Sequence, residues 1–267
     1  MEKRYFISVD IEGITDVTFW SETEAGQAGY DAACEQMTRE TAAACRAVLA
    51  AGALPVVRDG HGGACNIRHM DLPEGAELMR GWACHPGSMM AGLDGTFSGV
   101  IYIGYHAPAG SDGSPLAHTS EYQQIRWAKI NGKLASEFTM NSLYAASLGV
   151  PSLFLSGDEA MCRLAEEEIP GLTTVAVKRC KGNSTWNLHP KTAEKAIEEA
   201  VARQLAAGAP PVPQVPETMA LDLCLPTHQA VRSARQLPGV ELIGDDVVRY
   251  TAKTVKELKI ACELMMG

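Results

Sequence analysis

Short apolar runs alternate with longer amphipathic stretches along this chain of 267 residues. The run at residues 5–9 predicts a buried strand, the helical spacing of apolar residues at 30–51 predicts a helix, and residues 53–57 predict a second strand. A strand, a helix and a strand in this order are typical of parallel α/β architecture. The start of the chain therefore predicts a parallel sheet.

The rest of the chain continues this alternation. Further strands are predicted at residues 99–104, 125–130, 150–156, 173–178 and 218–225, with strand material at 240–252, and further helices at 73–80, 138–148, 160–168, 190–207, 227–236 and 254–265. Residues 179–190 are expected to form a polar loop. The fold class that follows is α/β, with three α/β/α layers around a mostly parallel sheet and a smaller α/β (strand-helix-strand-helix) C-terminal portion.

A proline-rich break at residues 207–213 predicts a domain boundary. We expect a metal-binding catalytic α/β domain at residues 1–210. A smaller α/β portion at 211–267 is expected to pack with part of the 110–140 region.

Two carboxylates follow the first predicted strand, in the stretch Ser8-Val9-Asp10-Ile11-Glu12-Gly13. Asp10 and Glu12 are two positions apart, so on a strand both side chains point to the same face. Ligands of α/β sheets usually bind at the C-terminal end of the strands. Two carboxylates that face one point repel each other unless a cation, a shared proton or water intervenes. From this stretch alone, a solvated turn with two surface acids remains the alternative.

Two histidines stand at the ends of later predicted strands. His61 follows the second strand among glycines, and His106 follows the strand at 99–104. Because the C-terminal ends of parallel strands open on the same edge, both histidines are expected near the first carboxylates. Asp59 is a candidate hydrogen-bond partner for the His61 imidazole. A lone histidine among glycines could equally be a turn residue.

Three more polar residues lie farther along the chain. His118 follows a glycine-rich loop, from which it could reach a metal site or remain a surface residue. Glu137 stands near the start of a predicted helix, where a capping or dipole role is the alternative. Asp158 is predicted to cap the helix that follows it.

Composition and charge narrow the class of protein. A formal charge of -9 and a pI near 5.3 argue against a nucleic-acid partner. No apolar run approaches the roughly 20 residues of a membrane span, and the N-terminal apolar stretch is too short for a signal peptide. The eight cysteines include no C-x-x-C pair. We therefore expect a reduced, cytoplasmic protein that binds neither nucleic acid nor membrane.

The candidate ligands form a set of oxygen and nitrogen donors without a thiolate: Asp10, Glu12, His61, His106 and Glu137. Three carboxylates and two imidazoles suit two divalent ions, with one carboxylate bridging them. Such ions lower the pKa of a bound water towards neutrality. The set therefore predicts a two-metal hydrolase.

At this point the chain resembles the zinc-dependent D-aminopeptidases associated with dipeptide transport. The resemblance covers roughly residues 5–160, and each motif is weak singly but specific as part of an ordered set. The matching motifs are Ser8-Val9-Asp10-Ile11-Glu12-Gly13, Asp59-Gly60-His61-Gly62, Gly104-Tyr105-His106-Ala107, His118-Thr119, Asn131-Gly132 with Glu137 after it, and Gly149-Val150-Pro151 through Ser156-Gly157-Asp158.

The resemblance implies that Asp10, Glu12, His61, His106 and Glu137 bind two zinc ions per subunit, with Asp10 as the bridge. It also implies that His118 is the catalytic residue, as nucleophile or proton-transfer group. Mn²⁺ or Co²⁺ would fit the same ligands. The family further implies a ring-shaped homodecamer with active sites that face an internal chamber.

The expected function is that of a binuclear zinc metallo-aminopeptidase. It would hydrolyse N-terminal residues, D-amino acids such as D-Ala among them, from short peptides or amides. One alternative is a two-metal amidohydrolase or phosphoesterase that acts on another class of substrate. The other is a non-catalytic peptide-binding protein with a structural metal.

Overall fold

A computed structural model describes residues 3–266 of the chain. The strands are β1 (Arg4–Val9), β2 (Leu54–Asp59), β3 (Glu77–Met79), β4 (Gly99–Tyr105), β5 (Trp127–Ile130), β6 (Lys133–Leu134), β7 (Ser152–Asp158), β8 (Thr173–Lys181), β9 (Ser184–Asn187), β10 (Met219–Cys224), β11 (Val240–Leu242) and β12 (Val247–Ala252). The helices are α1 (Tyr30–Ala50), α2 (Glu137–Ser147), α3 (Glu159–Glu168), α4 (Pro190–Ala207), α5 (His228–Ala234) and α6 (Val255–Met266). None of these helices has the length and apolarity that a membrane span requires.

Two sheets organise the described residues. The larger has seven strands in the order β3-β2-β1-β4-β7-β8-β9, and every pair is parallel except β8 with β9. The smaller has five antiparallel strands in the order β11-β12-β10-β5-β6. The order β2-β1-β4 places the ends of three parallel strands side by side.

The larger sheet is buried on both faces, as parallel sheets require. Residues of β1 alternate between two apolar clusters: Ile7 and Val9 pack with α1 and α4, whereas Phe6 packs on the opposite face with residues of α2 and α3. The second cluster continues into the smaller sheet and α6. The three layers and the mostly parallel sheet confirm the predicted α/β class.

Two sequence predictions of local structure were wrong. Residues 73–80 are not helical but include the edge strand β3, which pairs with β2, and the left-handed Gly75 lies just before it. Residues 179–190 are not a loop throughout, because β8 and β9 form a hairpin across Gly182-Asn183. A glycine followed by asparagine is a known hairpin signal, and Gly182 has the positive φ that such turns need.

The strand pairing links distant parts of the chain. Strand β5, from the 110–140 region, pairs with β10, and the two are antiparallel. The division into domains near residue 210 stays a prediction.

The loop that follows β1 is held from several sides. The backbone N–H groups of Asp10 and Gly13 donate to the carbonyl oxygens of Ile103 (2.8 Å) and Gly104 (2.7 Å) at the end of β4. The ammonium of Lys178 on β8 donates to the carbonyl oxygens of Glu12 and Val17. These backbone contacts fix the direction in which the loop presents its side chains.

A buried carboxyl on α1 supports the same loop. Oε1 of Glu40 accepts hydrogen bonds from the backbone N–H of Thr15 (3.1 Å) and the amide of Gln36 (3.3 Å). Burial raises the pKa of Glu40 to about 7, although these donors and the charge of Lys178 act in the opposite direction. Near neutral pH, Glu40 is therefore close to the midpoint of its titration.

The raised pKa predicts a pH-dependent stability that Glu40→Gln removes. Because the pKa is about 4.3 in an unfolded chain and higher in the folded state, stability falls as pH rises between these values. The loss through Glu40 amounts to about 3 kcal/mol by linkage. Urea unfolding of both proteins from pH 4 to pH 8 should therefore show Glu40→Gln gaining on the native chain as pH rises. The control Glu35→Gln, at a half-exposed position of α1, should show no such drift; a parallel drift would contradict the prediction.

Candidate metal centre

The ends of three adjacent strands bring the first four candidate residues together. Asp10 and Glu12 follow β1, His61 follows β2, and His106 follows β4. In the order β2-β1-β4 these ends meet at one edge of the sheet, where open α/β sheets bind their ligands. All except His61 are almost fully buried, and His61 exposes 12% of its side chain. The two carboxylates are thus not surface acids of a solvated turn.

Glu137 and His118 complete the cluster from outside the parallel strands. Glu137 is the first residue of α2, behind the capping residue Ser136. Its Oε1 accepts from the backbone N–H of Ser120 (2.8 Å) and lies 3.7 Å from Nε2 of His118. The ring of His118 is buried and stacks on that of His106, with centroids 4.1 Å apart. His118 is therefore not a surface residue, which was the alternative that the sequence allowed.

The two oxygens of Asp10 face different histidines. Oδ1 lies 3.3 Å from Nδ1 of His61, and Oδ2 lies 3.4 Å from Nε2 of His106. On one side, Oε2 of Glu12 is 3.2 Å from Nδ1 of His61. On the other, Oε2 of Glu137 is 3.7 Å from Nε2 of His106. Asp10 therefore lies between two groups of donors.

Donor atoms close enough to hold one ion form three groups, each within 4.8 Å. The groups are Asp10, Glu12 and His61; Asp10, His106 and Glu137; and Glu12, His106 and His118. The first two share Asp10 and together use every ligand expected from the sequence. The third reuses a member of each of the others and adds His118.

The histidines are oriented by backbone carbonyl groups. Nε2 of His61 contacts the carbonyl oxygen of Thr23 (2.7 Å), Nδ1 of His106 that of Ala107 (3.0 Å), and Nδ1 of His118 that of Leu116 (2.9 Å). A carbonyl oxygen cannot donate, so each of these nitrogens carries the proton. In the neutral ring, the opposite nitrogen keeps its lone pair and faces the carboxylates. This is the arrangement of metal-binding histidines.

Unpaired polar atoms and electrostatics also fit bound cations. Oε2 of Glu12 and Nε2 of His106 are buried and form no hydrogen bond within the described protein. Burial raises the pKa of Glu12, but the imidazoles of His61, His118 and His106 hold it well below its ordinary value. Burial lowers the pKa of His61 and of His106, yet the charges of Glu12 and Glu137, respectively, dominate and raise both well above the ordinary value. The site therefore favours positive charge strongly.

Two neighbouring aspartates support the backbone of the site. Asp59, expected to bind the His61 imidazole, instead accepts from the backbone N–H groups of Asn66 (2.6 Å) and Ile67 (2.9 Å), because the imidazole is already held by a carbonyl group. Asp158 caps α3 as predicted, accepting from the N–H of Met161 at 2.8 Å. Its other oxygen accepts from the N–H of Ala107 at 2.8 Å, which also fixes the turn behind His106.

The cluster opens into a cavity of about 700 Å³. Trp20 and Tyr122 stack with centroids 4.2 Å apart, and Trp20 also packs edge-on against His118. His85, expected to be an ordinary loop residue, lines the cavity too. Lys259 of α6 also lines it; the sequence analysis missed this residue, because a single lysine on an amphipathic helix looks solvated.

Comparison with known proteins places the chain in a family. Residues 3–264 match the peptidase family M55 model, described as D-aminopeptidase. The chain belongs to this D-aminopeptidase family. It is therefore a hydrolase of peptide bonds, as the sequence predicted.

A curated relative and a solved structure, both from Bacillus subtilis, match nearly the whole chain. A protein of Bacillus subtilis (strain 168), named D-aminopeptidase, is 30% identical over 258 residues, which are 95% of this chain and 93% of the relative. A solved structure, described as the Zn-dependent D-aminopeptidase DppA from Bacillus subtilis, a self-compartmentalizing protease, superposes with a TM-score of 0.91 at 28% identity. The superposition covers 98% of this chain and 96% of that one. The same fold therefore extends over both sheets.

Gly13 links the carboxylate loop to β4, and we predict that Gly13→Ala destabilises the protein. A Cβ atom at this position would overlap the backbone carbonyl of Tyr105, and backbone cannot move away as a flexible side chain can. We expect a loss of at least about 2 kcal/mol, measured by urea unfolding in the presence of a chelator. Gly63→Ala is the control, since a Cβ there meets nothing within 4 Å. Equal stability of the two variants would contradict the prediction.

Proposed function

We propose that this chain is an aminopeptidase that uses two zinc ions per subunit to release N-terminal residues, D-amino acids such as D-Ala among them, from short peptides or amides. The observation that supports two ions is the position of Asp10, whose oxygens face His61 and His106 separately. A carboxylate placed in this way can bridge two ions. Zinc and D-residues are supported by the description of the Bacillus subtilis relative.

The five expected ligands divide into two sets in this proposal. Asp10, Glu12 and His61 would hold one ion, and Asp10, His106 and Glu137 the other. Bound zinc ions supply Lewis acidity for the scissile carbonyl and acidify the attacking water. Mn²⁺ or Co²⁺ would suit the same donors.

His118 is assigned to proton transfer rather than to metal binding. Its possible co-ligands, Glu12 and His106, each belong already to one of the two other groups. Nδ1 of His118 is held by Leu116, so Nε2 points towards Glu137 and the cavity. An imidazole placed there could take a proton from water and pass it to the leaving amine.

The surroundings of the site suit a small substrate. A volume of about 700 Å³ falls within the range of small-molecule pockets. Trp20 and Tyr122 form an apolar wall beside His118. Residues 182–189 are not among those that line the cavity.

We also propose that the protein is cytoplasmic. A further proposal is that it forms a homo-oligomer that encloses its active sites. This proposal follows the description of the Bacillus subtilis structure as self-compartmentalizing. A ring of ten subunits is the expectation from the family resemblance. Light scattering after size-exclusion chromatography measures the number of subunits directly.

Elemental analysis with a substrate panel tests the function. Metal-replete protein should contain two zinc ions per chain, and a chelator should remove both the zinc and nearly all turnover. The panel holds the p-nitroanilides of D-Ala and L-Ala, short peptides of both series and p-nitrophenyl phosphate. Preferred release of D-Ala supports the proposal. Phosphatase activity alone would assign another class of two-metal enzyme, and metal without any turnover would indicate a binding protein.

His118→Ala should separate chemistry from metal binding. If His118 transfers the proton, kcat should fall by about 10²- to 10⁴-fold while two zinc ions stay bound. His228→Ala is the matched control, because His228 is exposed at the start of α5, a helix beside the smaller sheet. Loss of one zinc ion from His118→Ala would show instead that His118 is a ligand, and unchanged kcat would remove its assigned role.

A further inference from the structure

Lys259 brings a buried positive charge to the cavity of the metal centre. It lies on α6, exposes 9% of its surface, and lines the same cavity as Asp10, Glu12 and His118. The other charged groups of its surroundings are Glu137 and Glu263. Neither of them forms an ion pair with it.

The ammonium group has a neutral partner. Nζ of Lys259 donates to Oδ1 of Asn141 at 2.7 Å. Within residues 3–266, no carboxylate oxygen lies within 4.0 Å of it. The ring of Tyr144 also lies near Nζ, with its centroid 5.8 Å away, but it accepts no hydrogen bond at that distance. An ammonium group has three donors, so two of them remain without a hydrogen bond.

A chain of hydrogen bonds fixes the partner of the lysine. The amide Nδ2 of Asn141 contacts the hydroxyl of Tyr105 at 3.0 Å, which contacts Oγ of Ser8 at 2.7 Å. Ser8 in turn donates to the carbonyl oxygen of Met89 at 3.3 Å. Because the amide nitrogen is committed to this chain, the amide oxygen must face Lys259. The position of the ammonium group is thus set by β1, β4 and α2 together.

This arrangement is costly for the protein alone. A buried charge loses its hydration, and a neutral amide compensates for that loss less than a carboxylate does. Burial lowers the pKa of Lys259 to about 8, so the group still carries its charge at neutral pH. An anionic ligand group in the cavity would supply the missing partner.

We propose that Lys259 binds the C-terminal carboxylate of the substrate and thereby selects dipeptides and other very short peptides with a free C-terminus. The inference rests on the proposed function, since it places the scissile bond at the metal centre and the carboxylate farther along the same cavity. Asn141 positions the lysine. The N-terminal residue of the substrate would then lie at the metal centre and the C-terminal carboxylate at Lys259. The separation of these two places would limit the length of the substrate.

The test compares a free acid with its amide. D-Ala-D-Ala and D-alanyl-D-alaninamide contain the same scissile bond and differ in the charge of the C-terminus. The native protein should favour the acid in kcat/KM by about tenfold to a hundredfold, as expected for a charged hydrogen bond. Lys259→Met should lower this ratio to near one, and Lys259→Arg should restore part of it. Lys256→Met, at an exposed position of the same helix, should leave the ratio unchanged.

The outcomes separate this inference from the proposed function. Hydrolysis of neither substrate by the metal-replete native protein would overturn the proposed function itself. Hydrolysis of both at equal kcat/KM by the native protein would overturn the role of Lys259 alone, even if no variant folds. An equal loss on both substrates in Lys259→Met, with the ratio kept, would show that the lysine only supports the fold.

Discussion

The main constraint on this structure is that three carboxylates, which repel one another, are buried together at one edge of a parallel sheet. Asp10, Glu12 and Glu137 are buried within reach of the same histidines, and the described protein supplies no lysine or arginine ion pair to them. Such a concentration of negative charge is unfavourable unless metal ions or protonated imidazoles balance it. Backbone hydrogen bonds between β4 and the loop after β1 hold the first two carboxylates in place in spite of this repulsion. The main chain thus brings the candidate donors to one place.

The histidines show how the fold prepares the donors. Each of His61, His106 and His118 gives one ring nitrogen to a backbone carbonyl and turns the other towards the carboxylates. A carbonyl cannot change its protonation state, so the tautomer is determined by the path of the main chain. The rotation of each ring is restricted for the same reason. Little reorganisation would then be needed for these nitrogens to bind metal.

The sequence predicts the first part of this site because strand ends are local features. Asp10, Glu12, His61 and His106 each follow an apolar run, and a parallel sheet brings such ends together. The positions of Glu137 and His118 do not follow from strand ends, since both come from segments outside the larger sheet. The sequence pattern left a capping role for Glu137 and a surface position for His118 open, and only the family resemblance gave each a specific role. The hairpin of β8 and β9 was missed although Gly182-Asn183 carries its turn signal. The pattern of polar residues dominated that prediction.

The residues that sequence reasoning could not find are two buried lysines. Lys178 lies on β8 and Lys259 on α6, 81 positions farther along the chain. The pattern of apolar and polar residues in each element assigns a lysine to the solvated face. Both donate to neutral oxygens: Lys178 to the carbonyl groups of Glu12 and Val17, and Lys259 to an amide. Neither ammonium group neutralises the acidic centre by direct pairing. The carboxylates thus stay available to metal ions, while the two lysines act on the backbone below the site and on the cavity beside it. Negative and positive groups are kept apart within one cavity, which suits the proposed binding of metal ions at one end and of an anionic substrate group at the other.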